Sequence, residues 1–347
     1  MSKRRKPRKG IQAKPRVAKV TKHKYDPSKL KQLPVNYQDV SGFFEKFQKT
    51  NPFALRKETF LRIEKITGRP LICYVSKIFD SSPNTPSYID HSDLTGFGDL
   101  TQSINEDVVD IFIMSNGGSA EASERIVDLL RERFRHVRFI VPSNAYSAAT
   151  LLCFSGDEVI MDELGTLGPI DPQINGIPVH AIKGAFERIE ERLKKEGPKA
   201  LTAYMPLIMK YDLHIFELCQ SAEDLSRELA QTWLSTIMLK GLDDKSIVKN
   251  IVEHFSNYDI HKSHSRGINR SKARDLGLNI IFPEDTEGLA DLVRSLYNQY
   301  DFWFNQIKFY KMFENSRGIN WGRLEIPILV RSEMPKPPQS DTPEASD

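Results

Sequence analysis

The sequence predicts an α/β fold, a mostly parallel sheet covered by helices. Two observations carry that expectation. Between residues 71 and 281 short apolar runs alternate with amphipathic helical patterns, the signature of strand–helix–strand units. Several runs also stop at small or glycine-containing turns, Asn116-Gly117-Gly118-Ser119 after one and residues 144–149 after another. Open α/β sheets place their ligands at such turns, outside the carboxyl ends of the strands.

Taken in order, residues 1–24 hold 11 Lys and Arg and no acid. Without apolar periodicity they cannot offset the entropy of ordering, so a disordered basic tail is expected. An N-terminal arm over 25–59 follows, with a short helix near 35–47. Phe53, Leu55, Phe60, Ile63 and Ile66 at helical spacing predict a helix over 52–67, stopped by Gly68. Strands are expected at 71–75, 108–114, 137–141 and 158–161, with a polar loop at 81–93 and a short helix at 95–103. The stripe Ile126, Leu129, Leu130 and Phe134, opposite Glu121, Glu124, Arg131 and Arg133, predicts a helix over 120–134. Further helices are expected at 148–154, 181–195, 200–218, 222–240 and 245–255. Residues 268–281 read as a helix closed by Gly277 and then a short final strand. Leu292, Leu296, Tyr300, Trp303, Phe304, Ile307 and Tyr310 predict an aromatic helix over 286–313, for a core or a subunit interface. The expected division is therefore the tail, the arm, a domain over 60–285, a helical C-terminal extension over 286–334, and a disordered acidic tail over 335–347.

Composition narrows the class. A chain of 347 residues, 39% apolar and 27% charged, is expected to be a soluble globular protein with one large α/β domain and appendages, or two ordinary domains. No run approaches the roughly 20 apolar residues of a membrane span, and the basic N-terminus is not followed by the apolar segment of a secretory signal. Cys73, Cys153 and Cys219 form no CxxC pair, so buried free thiols in a reducing cytoplasm are expected rather than disulfides or a zinc site. Beyond residue 24 there are 38 bases against 46 acids, a formal charge of −8. The basic tail is either a solvated arm or a weak contact for nucleic acid or an anionic surface.

The two turns carry the chemistry. Successive glycines after a strand let the backbone approach a ligand and expose N–H groups as an oxyanion trap, although such a pair also makes a plain turn. GxGxxG and GK[ST] are absent, which disfavours phosphate cradling and a nucleotide cofactor. Ser147 stands among Ala145, Ala148 and Ala149 at a strand-to-helix turn. It is either the N-cap of the next helix or a nucleophile, with the Ala148 N–H placed to favour developing negative charge.

The stretch IMSNGGSAEASERIVDLLRERF, followed by RFIVPSNAYSAATLLCFSGDEVIMDELGTLGPIDPQI, resembles the serine dehydrogenase proteinase family. That family is a branch of the Clp-protease and crotonase superfamily related to signal peptide peptidase A. The resemblance spans about residues 60–282 and returns at KYDLHIFELC and HKSHSRGINRSKARDLGLNI. It implies a crotonase-like spiral of ββα units, a Ser147 nucleophile, an oxyanion hole from the N–H groups of Gly118 and Ala148, peptide-bond hydrolysis and homo-oligomers. For the base that a serine needs, Clp-type peptidases use a histidine where this chain reads Leu167-Gly168-Pro169-Ile170-Asp171-Pro172. His180 is the nearest histidine, more simply structural. Relatives of signal peptide peptidase use a downstream lysine, which points to Lys199, with Lys210 as the alternative. His264 is a family-like position with a local capping or binding role expected, and Asp171 is expected to shape its turn. His261 and His264 lack the further ligands of a metal site. The alternative to a peptidase is a catalytically inactive scaffold that binds peptide, an acyl ligand or nucleic acid.

Overall fold

A computed structural model describes residues 25–78, 85–212 and 214–325. The tails expected at 1–24 and 335–347, and part of the polar loop, lie outside the described residues. Helices α1 (Tyr37–Lys46) and α2 (Pro52–Thr67) come first, capped by Asn36 and Asn51, whose side chains accept from the N–H groups of Asp39 and Phe53. Gly68, at φ 70°, closes α2 in the left-handed conformation that glycine adopts without penalty. The chain then runs through β1 (Leu71–Ser76), α3 (Asp93–Gln102), β2 (Val108–Met114), α4 (Ala120–Arg133) and β3 (His136–Val141). Next come β4 (Asn144–Ala145), α5 (Ala148–Phe154), β5 (Glu158–Met161), β6 (Thr166–Leu167) and the small hairpin β7 (Gln173–Ile174) and β8 (Ile177–Pro178). A helical region follows: α6 (Val179–Glu196), α7 (Leu201–Ile208), α8 (Ile215–Trp233), α9 (Lys245–Ser256) and α10 (Tyr258–His261). β9 (Ile268–Asn269), α11 (Arg270–Asp275), β10 (Ile280–Ile281), α12 (Leu289–Gln306), β11 (Phe309–Asn315) and β12 (Asn320–Leu324) complete the described chain.

The large sheet has the order β10-β5-β3-β2-β1-β11-β12. Its first five strands pair in parallel, whereas β11 and β12 add antiparallel. A second, three-stranded sheet, β4-β6-β9, takes the short strand that follows β3 and the one that follows β5. The unit β3–β4–α5 is thus two strands in different sheets and then a helix, the ββα unit expected from the resemblance.

Both faces of the large sheet are covered, which explains runs that are apolar throughout. Strand periodicity sends Ile72, Tyr74, Ile111, Ile113, Phe139 and Val141 into a core with the helices α3, α4, α5, α8 and α9. Their neighbours Cys73, Val75, Phe112, Met114 and Ile140 enter the opposite core, with Phe60 and Ile63 of α2 and Leu296 and Tyr300 of α12. Each large apolar side chain buried there contributes roughly 1.5–3 kcal/mol.

Two expected boundaries move. The helix break falls at 209–214 rather than near 219–221, because the buried stripe Ile215, Cys219, Ser226, Leu229 and Trp233 runs unbroken through α8. The aromatic helix stops at Gln306, and its last expected residues begin β11. There Met312 enters one core and Phe313 the other, a period of two that overrides the apparent helical stripe. The C-terminal extension is therefore a helix followed by a β-hairpin.

Candidate active site

Backbone hydrogen bonds join the two glycine- and serine-bearing turns. Ser115 N–H donates to Asn144 O (2.9 Å), and Tyr146 N–H donates to Ser115 O (3.0 Å). Gly117 (φ 95°) then lies so close to the second turn that a Cβ would come within 2.4 Å of Tyr146 O and 2.6 Å of Ser147 Cβ. Gly118 (φ 152°) is pressed against the chain at Ile89, where a Cβ would meet Ile89 O at 2.2 Å. Ile89 N–H donates to Gly117 O, and Ser119 N–H donates back to Ile89 O, so the turn is clamped from its other side as well. Only glycine satisfies both the conformation and the approach.

The serines of the two turns behave differently. Ser119 caps α4 by accepting from Ala122 N–H at 2.9 Å. Ser147 occupies the N-cap position of α5, but its side chain makes no capping bond. Its backbone has φ 52° and ψ −120°, a conformation costly for a residue with a Cβ, by roughly 1–3 kcal/mol, and concentrated at functional sites. A strained strand-to-helix turn of this kind holds a hydroxyl out of the sheet. Ser147, Gly118 and Ala148 line one cavity of about 330 Å³. Among the described residues the N–H groups of Gly118 and Ala148 have no acceptor, so both are available to a ligand oxygen.

His264 lines the same cavity. Its Nδ1 lies 2.9 Å from Asp171 Oδ1, with Asp171 buried and the His264 side chain 17% exposed. An Nδ1–H donated to the carboxylate fixes the ring and leaves Nε2 as the proton acceptor. This pairing is not evident from the sequence, since its members are 93 residues apart. The antiparallel pairing of β6 with β9, Thr166 with Asn269 and Leu167 with Ile268, brings the two segments together.

The other sequence candidates lie elsewhere. Lys199, in a 3₁₀ turn at Pro198–Ala200, and Lys210, just beyond α7, are both exposed, and neither lines the Ser147 cavity. His180 stacks on Tyr258 with ring centroids 4.9 Å apart and lies 3.7 Å from Asp259. His261 is engaged with the His254 carbonyl at 2.6 Å, and among the described residues no three His, Cys, Asp or Glu side chains are grouped to hold a metal ion. The three cysteines are buried free thiols, and burial pushes those of Cys73 and Cys153 up, away from thiolate reactivity.

Residues 99–203 match the family described as ClpP-like SDH-type serine proteinase. That segment holds both turns and Asp171, and its match agrees with the resemblance read from the sequence. Among curated proteins, the uncharacterized protein MJ1495 of Methanocaldococcus jannaschii is 30% identical over 132 residues, 36% of this chain and 45% of that protein. The uncharacterized protein MJ0137 of the same organism is 38% identical over 80 residues, 23% of this chain and 28% of that protein. The chain thus spans less than half the length of either. Similar solved structures include a membrane-bound stomatin-specific protease (TM-score 0.33, 14% identity, 56% of this chain and 74% of that one). A ClpP1 variant from Listeria monocytogenes is another (TM-score 0.33, 15% identity, 65% and 98%). Among the described residues no helix is long and apolar enough to cross a membrane.

Proposed function

We propose that the chain is a serine peptidase whose catalytic unit spans residues 60–285, with Ser147 as nucleophile. The observation that carries this reading is the uncapped Ser147 hydroxyl, held on a strained turn in the cavity that His264 also lines. In the mechanism this supports, a peptide carbonyl enters with its oxygen toward the N–H groups of Gly118 and Ala148. His264 Nε2 takes the Ser147 proton as Oγ attacks, while Asp171 orients the ring and stabilises the imidazolium. The two N–H groups stabilise the tetrahedral oxyanion. His264 then returns the proton to the leaving amine, and water repeats the sequence on the acyl-enzyme.

The base expected from the sequence, Lys199 or Lys210, has less support than His264, because each lysine is exposed and outside the cavity lining. Labelling by a fluorophosphonate probe separates the readings. Ser147→Ala is expected to abolish labelling and His264→Ala to slow it by at least about 10³-fold, with Lys199→Ala and Lys210→Ala at the wild-type rate. Loss of labelling in a lysine variant with His264→Ala unaffected would restore the lysine base. No labelling of the wild type would favour the inactive scaffold. The reading extends to a peptide or protein substrate, a cytoplasmic location and a homo-oligomer, the last supported by Leu201, Leu207 and Met209, which the α7 region leaves exposed. Weak contact of residues 1–24 with nucleic acid or an anionic surface rests on their charge alone.

A further inference from the structure

The cavity that Ser147 lines carries one permanent charge. Among the described residues Glu121 is the only Asp, Glu, Lys or Arg in its lining. Apart from the ionisable ring of His264, the other polar lining groups are neutral, and Leu151, Ile170, Pro172, Ala222 and Leu225 make the rest of the wall apolar. Glu121 stands in the first turn of α4, shortly after Gly118, whose N–H group would receive the substrate oxyanion.

Local bonds hold this carboxylate in place and charged. The Ser119 hydroxyl that accepts from Ala122 N–H donates to Glu121 Oε2 at 2.7 Å. That bond, with the Glu121 backbone N–H and nearby His91, keeps the carboxyl below the ordinary carboxylate range. The first turn of a helix also favours a negative charge through the helix dipole. Among the described residues no Lys or Arg pairs with Glu121. Glu223, on α8 beside Ala222, differs: Lys183 neutralises it at 2.7 Å, and it lines a neighbouring cavity of about 200 Å³ that shares Ile170, Pro172 and Ser226 with the first. An unpaired charge in a concave, largely apolar site is screened less than one on an open surface, and it discriminates ligands by sign. Glu121 is itself exposed, so its effect is that of one partly solvated charge at the cavity mouth.

We propose that Glu121 is a specificity-determining residue of the proposed peptidase: it makes the Ser147 cavity favour peptides with a Lys or Arg side chain beside the scissile bond over those with Asp or Glu there. The assignment rests on the Ser147 reading above and is independent of which group acts as base.

The test uses three fluorophosphonates on the full chain, alike except for the end of the alkyl arm: trimethylammonium, its neutral isostere tert-butyl, and carboxylate. The inactivation rate kinact/KI is measured for each at low ionic strength and divided by that probe's hydrolysis rate in buffer. In the wild type the cationic probe is expected to react about tenfold faster than the anionic one, with the neutral probe between them and the gap narrowing as salt is raised. Glu121→Gln keeps an acceptor for the Ser119 hydroxyl; it is expected to bring the cationic and anionic rates together and leave the neutral rate unchanged. Glu121→Lys is expected to invert the order. Glu124, exposed on the same helix but outside the cavity lining, is the control. Glu124→Gln removes the same unit of net charge and is expected to keep the wild-type ratio. Equal cationic and anionic rates in the wild type overturn the selectivity, as does a preference that survives Glu121→Gln. So does one lost equally in Glu124→Gln, which would mark the field of the whole chain, or a parallel fall of all three rates in Glu121→Gln, which would mark a structural role. Wild type labelled by none of the three would instead overturn the Ser147 nucleophile, and the selectivity with it.

Discussion

Two groups of buried charge flank the sheet, and they are built to opposite rules. Along β11, Arg56 grips Glu314 with two hydrogen bonds (2.7 and 2.6 Å), and Tyr300 donates to the same carboxylate at 2.7 Å. Beside it Lys311 holds Asp93 at 2.9 and 2.8 Å, and Tyr74 donates to Asp93 at 2.8 Å. Burial pushes both phenols well above their ordinary range, so they stay neutral donors. Every oxygen of the Glu314 and Asp93 carboxylates has a partner and none of these six residues is more than 2% exposed, although Lys311 also reaches the partly exposed Asp90 at 3.2 Å. Asp171 has one oxygen satisfied, lines a cavity, and its histidine faces another. A saturated, sealed network can only fix structure, whereas one with unused capacity beside open space can exchange a proton with a ligand. Number of charges does not distinguish the two regions; unspent hydrogen-bonding capacity does.

The largest test of that contrast is Glu314→Ala. It strands the Arg56 guanidinium in the core, and breaking a buried pair in this way costs about 3–5 kcal/mol. A denaturant midpoint should fall accordingly, while the labelling rate per folded molecule remains that of the wild type. If labelling per folded molecule fell as well, β11 would be part of the catalytic apparatus and the distinction would fail.

The same contrast explains what the sequence could disclose. Strands covered on both faces are apolar throughout, so 108–114 and 158–161 could be read directly, and the helix 52–67 was legible from its spacing and its Gly68 stop. The turns at Gly117-Gly118 and Ser147 were legible because small residues between a strand and a helix are a local signal. β11 was not, since Phe309, Tyr310 and Phe313 continue an aromatic stripe, and the strand that ties β11 into the sheet, β1, which pairs with Lys311–Asn315, lies more than two hundred residues earlier. The His264–Asp171 pair was hidden for the same reason: a short strand pairing, β6 with β9, makes it, and two-residue strands carry almost no pattern. Separation from Ser147 suggested Lys199, but distance along a chain says little about distance in space. The available signal was His264 itself, set just before the strand residues Ile268 and Asn269.

Gly118→Ala tests the backbone half of the contrast. Its methyl group would meet Ile89 O at 2.2 Å and would take a positive φ of 152°, so the turn must shift and carry its N–H with it. Removing one oxyanion donor costs about 10²–10³ in rate, and labelling should fall by about that much. Gly42→Ala, with nothing within 4 Å of its Cβ in α1, is the control. It should leave labelling unchanged and, by helix propensity, add up to about 1 kcal/mol of stability. Equal effects from the two would mean that the Gly118 turn has no special part in the site.

The smallest expected effect separates acid loss of fold from acid loss of catalysis. His254 lies near the end of α9, two residues from Ser256. Partial burial, with the nearby charges of His261 and Lys272, holds its imidazole below the ordinary value. Its folded pKa is therefore depressed, and below about pH 6.5 the unfolded chain binds this proton more readily than the folded one. The associated stability is present above that pH and is lost as pH falls through the folded value. His254→Gln removes this titration, so its unfolding midpoint should decline less between pH 7 and 5 than that of the wild type. The pH profile of labelling per folded molecule should not move, because His254 lines neither cavity. If the labelling profile shifted with His254→Gln, the loss of activity in acid would reflect the state of α9 rather than protonation of the proposed base.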